Sequence, residues 1–241
     1  MKKQLAVLLI TFAFLAGCDN RMPKAEIEQT IHNYIVNNPH ILAEVIMNLQ
    51  KEVANKQQEK VVDLLNQHRS EVDNTTGVPK IGAADFDVTI LMFANYADIK
   101  SKTMMRIFAQ HVNKDNKLRM LIRFLPEKSV VGQRAARIGL ALLKQDLFLS
   151  FHTKVMQHEG ELSNEALTRI LQSIKGLDSE RLNKDMNSSD VAKALSNDRV
   201  LAEKLGIQES PGYIMGDFLL KQPISFEDVG AVIQVIRRHK K

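Results

Sequence analysis

The chain has 241 residues, enough for one large domain or for one domain with an appendage. Its hydrophobic fraction of 44% indicates a globular protein, and an aromatic fraction of 5% without Trp predicts a mostly aliphatic core. The formal net charge is +5, but basic and aromatic residues do not alternate as they do in nucleic-acid-binding segments. We therefore expect no nucleic acid among its partners.

Residues 1–17 have the pattern of a signal peptide. Lys2 and Lys3 precede an apolar run, residues 5–15, that is too short to span a membrane as a helix. The run ends in Leu-Ala-Gly-Cys, which resembles the lipobox of bacterial lipoproteins, so Cys18 is predicted to carry the lipid. An ordinary signal peptide with an incidental cysteine and a short uncleaved anchor are the alternatives.

A lipid at Cys18 would place the protein in the bacterial cell envelope, facing the periplasm, because several acyl chains together anchor a protein stably. Asp19 resembles the inner-membrane retention signal of enteric lipoproteins, but the choice between inner and outer membrane stays open. Cys18 is the only cysteine of the chain. Once it is lipidated, the mature chain has no free thiol for disulfide exchange.

Residues 18–77 are predicted to form a helical arm and a linker. A first helix should end near Asn38, because the residue before a proline disfavours helix, and Pro39 suits the first turn of a second one. That second helix carries an apolar stripe on one face: Leu42, Val45, Ile46, Leu49 and Val53. A single helix cannot bury such a stripe alone, so we expect self-association through the arm; folding back onto its own domain is the alternative.

The polar stretch at residues 73–77 reads as a linker, and residues 78–241 as one globular domain. The strands expected there are Val88–Phe93, Leu118–Phe124, Gly212–Met215 and Phe218–Lys221. The expected helices are Ile99–Val112, Gly132–Leu143, Leu147–Gln157, Asn164–Ile174, Asp190–Leu205 and Phe226–Arg238. This order predicts a mixed α/β sheet with a block of helices inserted before the last two strands.

Several collinear motifs of this domain resemble the DsbA-like branch of the thioredoxin fold. They are Val88-Thr89-Ile90, Phe93 to Lys102, Phe124-Leu125-Pro126, Phe148-Leu149-Ser150-Phe151-His152 and Leu205 to Pro211. The arm around Asn37-Asn38-Pro39 resembles the oligomerising helices of some disulfide isomerases in this branch. The resemblance implies a thioredoxin-like fold with an inserted helical subdomain, preceded by an N-terminal helical arm.

One motif departs from that family. With Tyr96 and Lys102 aligned to the family pattern, the two redox cysteines become Asp98 and Ser101; a shift by one residue would make them Ala97 and Lys100. Neither alignment supplies a thiol, so we assign no catalytic residue. Ser101 as a hydrolytic nucleophile is an alternative, but no base is visibly paired with it in the sequence.

The resemblance also assigns Ser210 and Pro211 to the family's cis-proline loop, which faces the redox site. Either Pro211 serves the fold alone, or the groove beside it still receives an extended peptide by β-type pairing. No cysteine–histidine cluster with ligand spacing and no nucleotide-binding fingerprint occurs in the sequence, so we expect neither a metal nor another cofactor.

These observations predict a redox-inactive, DsbA-like envelope lipoprotein. It would bind proteins of the cell envelope, as a structural or accessory subunit of a complex. The alternative is a periplasmic disulfide isomerase or oxidoreductase, or a chaperone-like protein. The partner itself is not identified by any motif.

Overall fold

The computed structural model describes residues 22–126 and 129–239. The predicted signal peptide and the predicted lipidation site Cys18 lie outside these residues. By its internal contacts the chain divides into two units, Met1–Lys56 and Gln57–Lys241. This division comes before the predicted linker at residues 73–77, and the assignment of the linker as a domain boundary stays a prediction.

The first unit contains helix α1 (Lys24–Asn37) and the beginning of helix α2 (Pro39–Gln67). Proline is the first residue of α2, where its missing N–H removes no helical hydrogen bond. The five apolar residues of the predicted stripe on α2 are all exposed, with exposed fractions between 45% (Ile46) and 63% (Val53). None of the helices in the described ranges is both long and apolar enough to cross a membrane.

A mixed five-stranded sheet forms the centre of the second unit. Its strands are β1 (Lys80–Gly82), β2 (Val88–Ala94), β3 (Leu118–Phe124), β4 (Gly212–Met215) and β5 (Phe218–Leu220). The order across the sheet is β1-β3-β2-β4-β5, and only β2 and β3 pair in parallel. Strand β1 was not predicted, because its three residues are too few to show a period. A two-residue turn joins β4 to β5 as a hairpin, with Gly216 at a φ of 57°.

Helix α4 (Ile99–Lys114) connects the two parallel strands, and a block of helices is inserted between β3 and β4. This block comprises α5 (Val130–Leu143), α6 (Phe148–Gln157), α7 (Asn164–Gln172), α8 (Ser179–Met186) and α9 (Ser189–Lys204); α10 (Phe226–His239) follows β5. The predicted α/β sheet with inserted helices is confirmed. Two short helices, α3 (Arg69–Asp73) and α8, were not predicted.

The two faces of the sheet have separate cores. Alternate residues of β2, such as Ile90 and Met92, pack with α4, α5 and α10. The residues between them, Leu91 and Phe93, pack with α9 and with Leu65 of α2. Strand β3 repeats this alternation, so that three of its residues belong to the second face: Arg119, Leu121 and Arg123. Strand β3 therefore places two arginines on the second face of the sheet.

Arg123 holds the segment around α3 to the sheet. Its Nη1 lies 2.8 Å from Oδ1 of Asp198 on α9. Its Nη2 donates to the carbonyl oxygens of Glu71 and Asn74 at 2.9 and 2.8 Å. The second carboxylate oxygen of Asp198 accepts the backbone N–H of Phe124 at 2.8 Å. The guanidinium thereby satisfies carbonyls at the end of α3 that have no partner within that short helix.

Candidate functional site

The candidate site is the turn that joins β2 to α4. Residues 95–98 leave the carboxyl end of β2, and the backbone N–H of Asp98 donates to the carbonyl oxygen of Asn95 at 3.1 Å. Helix α4 begins at the next residue, Ile99, which is 68% exposed. A helix N-terminus presents unpaired N–H groups and the positive end of the helix dipole, which together stabilise a negative charge.

Asp98 occupies that N-terminus as its cap. Its backbone is extended, with φ −98° and ψ 128°, and its Oδ1 accepts the backbone N–H of Ser101 at 2.6 Å. A carboxylate in this place satisfies one of the unpaired helix donors and lies favourably against the dipole. The position that would suit a thiolate is thus filled by a carboxylate.

Ser101 lies inside the first turn of α4 and is fully buried. Its Oγ accepts the backbone N–H of Asn95 at 3.2 Å. This hydrogen bond closes the turn by joining its first residue to the first turn of α4. A serine nucleophile needs a base within hydrogen-bond reach. In the described ranges of the chain, no histidine or carboxylate hydrogen-bonds to Ser101 Oγ, which argues against the hydrolytic alternative.

Asn95 organises the turn from its centre. Its side-chain Oδ1 accepts the backbone N–H of Ala97 at 2.9 Å, and only 4% of the residue is exposed. The start of α5 approaches it so closely that a Cβ on Gly132 would lie 2.4 Å from Asn95 Oδ1. Glycine is therefore required at position 132 by a close contact and not by its backbone angles. Sequence reasoning missed this pair, since it lies 37 positions apart along the printed chain.

Tyr96 and His152 form a buried hydrogen bond beneath the turn. The Tyr96 hydroxyl lies 2.8 Å from Nδ1 of His152, and the His152 ring stacks on Phe148 with centroids 5.6 Å apart. Burial lowers the pKa of His152 to about 4 and raises the pKa of Tyr96 above its ordinary value. Both groups are therefore neutral near pH 7, and the pair forms a buried packing contact.

Two cations of α4 bind the carboxyl-terminal end of α6. Lys102 Nζ donates to the carbonyl oxygen of His158 at 2.9 Å, and Arg106 Nη2 donates to that of Met156 at 3.1 Å. Cations are favourable at this end of a helix because the dipole is negative there. Burial, and then the charge of Arg106, lower the pKa of Lys102. Lys102 thus connects the turn to the inserted helices.

The Ser210–Pro211 loop lies beside the turn. The Ser210–Pro211 peptide bond is cis. Gly212, the next residue, is the register partner of Phe93 near the end of β2, so Pro211 lies beside the point where β2 passes into the turn. A Cβ on Gly212 would lie 2.5 Å from Cγ2 of Ile207, so this close approach requires glycine. The structure thus brings Asp98, Ser101 and Pro211 to the same end of the sheet.

A metal site is not indicated at this turn or elsewhere in the described ranges. Residues 22–126 and 129–239 contain no group of three or more histidine, cysteine, aspartate or glutamate side chains placed to hold an ion. The polar groups of the turn hydrogen-bond to one another and to the backbone of the turn.

The family model described as thioredoxin matches residues 73–235, which is more than half of the chain. The chain belongs to the thioredoxin family. A second model, described as the copper resistance protein ScsC N-terminal domain, matches residues 24–58. The predicted fold class, a thioredoxin-like α/β domain with inserted helices and an N-terminal helical arm, is therefore confirmed. A search of curated proteins finds no match.

Solved structures of this fold resemble the chain over most of its length. ScsC of Proteus mirabilis in a compact conformation is 26% identical, covers 88% of this chain and 97% of its own, and has a TM-score of 0.63. A thioredoxin-like oxidoreductase of Silicibacter pomeroyi DSS-3 is also 26% identical, covering 70% of this chain and 98% of its own, at a TM-score of 0.66. A periplasmic thioredoxin-like protein of Salmonella enterica serovar Typhimurium is 22% identical, covering 71% and 96%, at a TM-score of 0.63.

Proposed function

We propose that this member of the thioredoxin family acts by binding protein segments beside the Ser210–Pro211 loop, as an envelope lipoprotein without thiol–disulfide activity. The observation that carries this proposal is the hydrogen bonding of the turn. At the two positions assigned to the redox cysteines, Asp98 caps α4 and Ser101 closes the turn, so both side chains serve the local structure.

The chemistry of disulfide exchange supports the same proposal. Exchange begins with attack by a thiolate and passes through a mixed disulfide. The sequence supplies one cysteine, Cys18, which stands directly after the apolar run of the predicted signal peptide. A carboxylate at position 98 and a hydroxyl at position 101 cannot exchange electrons with a disulfide.

A disulfide isomerase or oxidoreductase, or a chaperone-like protein, is the second candidate. The relatives favour it: the family is one of thiol–disulfide oxidoreductases, and the Silicibacter pomeroyi protein is described as a thioredoxin-like oxidoreductase. Reduction of insulin by dithiothreitol, with and without the purified protein, separates the candidates. The proposal predicts the same rate in both samples, and an acceleration that depends on the protein would overturn it.

The place for a bound segment is the surface formed by the loop and the start of α4. An extended peptide there would form backbone hydrogen bonds of the β type, and neighbouring side chains would set its preference. Ile99 is the apolar residue that this surface exposes most. A photo-crosslinking amino acid at position 99 should capture envelope proteins in intact cells. The same substitution at Leu149, which is 56% exposed on α6, is the matched control and should capture none of them.

Self-association through the arm is part of the proposal. The exposed stripe on α2 supports it, because apolar side chains that recur on one helix face are stabilised by burial against another surface. Light scattering should give a mass above that of one chain, and Ile46→Glu with Leu49→Glu should reduce it to one chain. Asn48→Asp with Asn55→Asp adds the same two charges at exposed polar positions of the same helix and should leave the mass unchanged. A single-chain mass for the unmodified protein would refute self-association.

The lipid anchor is proposed for Cys18, on the envelope side that the signal peptide implies. The description of the Salmonella relative as periplasmic agrees with this location. Metabolic labelling with palmitate should mark the unmodified protein and leave Cys18→Ser unmarked. After cell fractionation, the unmodified protein should be found with the membranes and Cys18→Ser in the soluble periplasmic fraction. Equal labelling of the two would mean that Cys18 is not the acylated residue.

A further inference from the structure

A cleft lies at the opposite end of the sheet from the turn that joins β2 to α4. It has a volume of about 320 Å³ and is lined on its floor by the amino-terminal half of β2 and by β3, including Thr89, Leu91 and Arg119. Val72, Ile214 and Ile236 complete its apolar walls, and Arg69 lies at its rim. Helix α9 covers the other end of this sheet face, where Asp198 binds Arg123, so the cleft is the part of the face that α9 leaves open.

Arg119 is a charged group in this cleft without a carboxylate partner among the described residues. Its guanidinium lies over the Phe86 ring, 3.5 Å from the centroid, and Nη2 donates to Thr89 Oγ1 at 3.3 Å. Nε and Nη1 make no hydrogen bond with any described residue. Burial lowers the pKa of Arg119, and no neighbouring acid opposes that shift. An arginine has five N–H donors, so most of this one's hydrogen-bonding capacity is unused.

The other arginines near the cleft are paired. Arg69 Nη2 lies 3.0 Å from Asp217 Oδ1. Arg237 binds Asp87 through two nitrogens at 2.8 Å each and Asp115 at 2.7 Å. The acids that line the cleft are Asp87, which is committed to Arg237, and Asp73, which is exposed. Of the two cations that line the cleft, Arg69 is paired and Arg119 is the one whose charge no described carboxylate compensates.

We propose that this cleft binds a small organic anion, a monocarboxylate with an apolar body. The carboxylate would accept from Nη1 of Arg119, whose plane is fixed by Phe86 and Thr89, and Thr89 and Thr75 offer further hydroxyl groups. The apolar body would lie against Leu91, Val72 and Ile214. Charge-assisted hydrogen bonds to arginine are among the stronger polar contacts, and apolar contact adds to them in proportion to the area buried. This site is separate from the proposed peptide surface, and neither depends on the other.

Titration calorimetry with octanoate tests the proposal on the purified protein, without any substitution at first. Octanoate should bind once per chain and saturate. Octanol, which lacks the charge, and acetate, which lacks the apolar body, should each bind at least about tenfold more weakly, the ratio that one charged hydrogen bond or a few buried methylene groups would produce. Nuclear magnetic resonance should show the Arg119 Nε–H signal shifting as octanoate is added.

The variant Arg119→Met removes the charge and keeps much of the apolar stem. It should weaken octanoate binding at least about tenfold and leave octanol binding unchanged. Arg106→Met is the matched control, since Arg106 also makes a single hydrogen bond, to Met156, and lies outside the cleft. Absence of saturable binding, or equal binding of octanoate and octanol, would overturn the proposal. So would an Arg119→Met protein that binds octanoate as tightly as the unmodified chain. If that variant does not fold, the comparison of octanoate, octanol and acetate on the unmodified protein still tests the proposal.

Discussion

The hydroxyl of Tyr96 and Nδ1 of His152 lie 2.8 Å apart in a part of the second unit from which solvent is almost excluded. Tyr96 belongs to the turn after β2, and His152 belongs to α6 within the inserted helices. Because both groups are neutral near pH 7, their hydrogen bond joins the turn to the insertion without a buried charge. Protonation of His152 would place a buried charge beside the turn.

The stability of the protein should fall between pH 7 and pH 5. The pKa of His152 is about 4 in the folded protein and 6.5 in its ordinary state, so protons bind preferentially to the unfolded chain. Above about pH 6.5 His152 is neutral in both states and does not lower the free energy of unfolding. As the pH falls from 6.5 toward 4, the unfolded chain takes up this proton first, and the free energy of unfolding decreases. Between pH 7 and pH 5 the loss from this group should be about 2 kcal/mol. Urea denaturation at the two pH values measures it.

The control for this effect replaces both members of the pair. Tyr96→Phe with His152→Phe removes the titrating group and leaves no unpaired hydroxyl behind. Between pH 7 and pH 5 its free energy of unfolding should fall by about 2 kcal/mol less than that of the unmodified protein. Identical pH dependence of the two proteins would show that His152 is not the group responsible.

Asp198→Asn should strongly destabilise the protein. The substitution leaves the buried guanidinium of Arg123 without its counter-charge, and breaking one member of a buried ion pair costs about 3–5 kcal/mol. Glu203→Gln on the same helix is the matched control. Its partner Arg199 lies 3.5 Å away and both side chains are about two-thirds exposed, so the loss should be under about 1 kcal/mol. Denaturant titration of both variants gives the comparison, and equal losses would contradict it.

Two helical glycines should respond in opposite directions to replacement by alanine. Gly132→Ala would place its Cβ 2.4 Å from Asn95 Oδ1, and overpacking of this kind costs about 1–3 kcal/mol. Gly230→Ala on α10 meets only an ordinary contact, 3.5 Å from the His111 ring, and should stabilise the helix by up to about 1 kcal/mol. Thermal unfolding of the two variants measures both effects.

The assignment of the clash can be tested in a second background. With Asn95→Ala present, Gly132→Ala should cost less, because the atom that it meets has been removed. If Gly132→Ala were equally damaging with and without Asn95→Ala, the close contact between α5 and the turn would not be the cause.

Replacing Asp98 and Ser101 together by cysteine should create disulfide-reducing activity. The two positions are separated by one helical turn at the start of α4, where the dipole lowers the pKa of a thiol and favours the reactive thiolate. Insulin reduction measures the gain, in a chain that also carries Cys18→Ser. Asp98→Cys alone is the control, because a single thiol has no partner to resolve the mixed disulfide. If the double variant folds and stays inactive while Ala97→Cys with Lys100→Cys is active, the alignment must be shifted by one residue.

Local patterns in the sequence were sufficient for most elements of the second unit. The continuous apolar run at residues 88–93 predicts a strand and the apolar period after residue 99 predicts helix α4, and the structure confirms both. Strand β1 and helices α3 and α8 escaped prediction because they are short, so that tertiary contacts and not periodicity define them. Helix α2 continues from Pro39 to Gln67 although its apolar stripe weakens after Val53.

The turn itself was visible in the sequence, but its internal bonding was not. Asp98 stands where an N-cap belongs, and its residue type alone favours that role. That Ser101 would be buried and accept from Asn95 depends on how α4 meets the end of β2. The close contact of Gly132 with Asn95 depends on the path of α5, which begins after two further loops.

The sequence by itself determined which chemistry is available to this protein. It indicates a strand followed by a turn and a helix, and its resemblance to the DsbA-like branch predicts Asp98 and Ser101 at the positions of the two redox cysteines. Only the tertiary structure decided what those groups do and where other charges are left. The pairing of Arg123 with Asp198, and the absence of such a partner for Arg119 among the described residues, are set by where α9 crosses the sheet. The physical reason is that ion pairing and burial depend on residues distant along the chain, whereas capping and periodicity depend on neighbours.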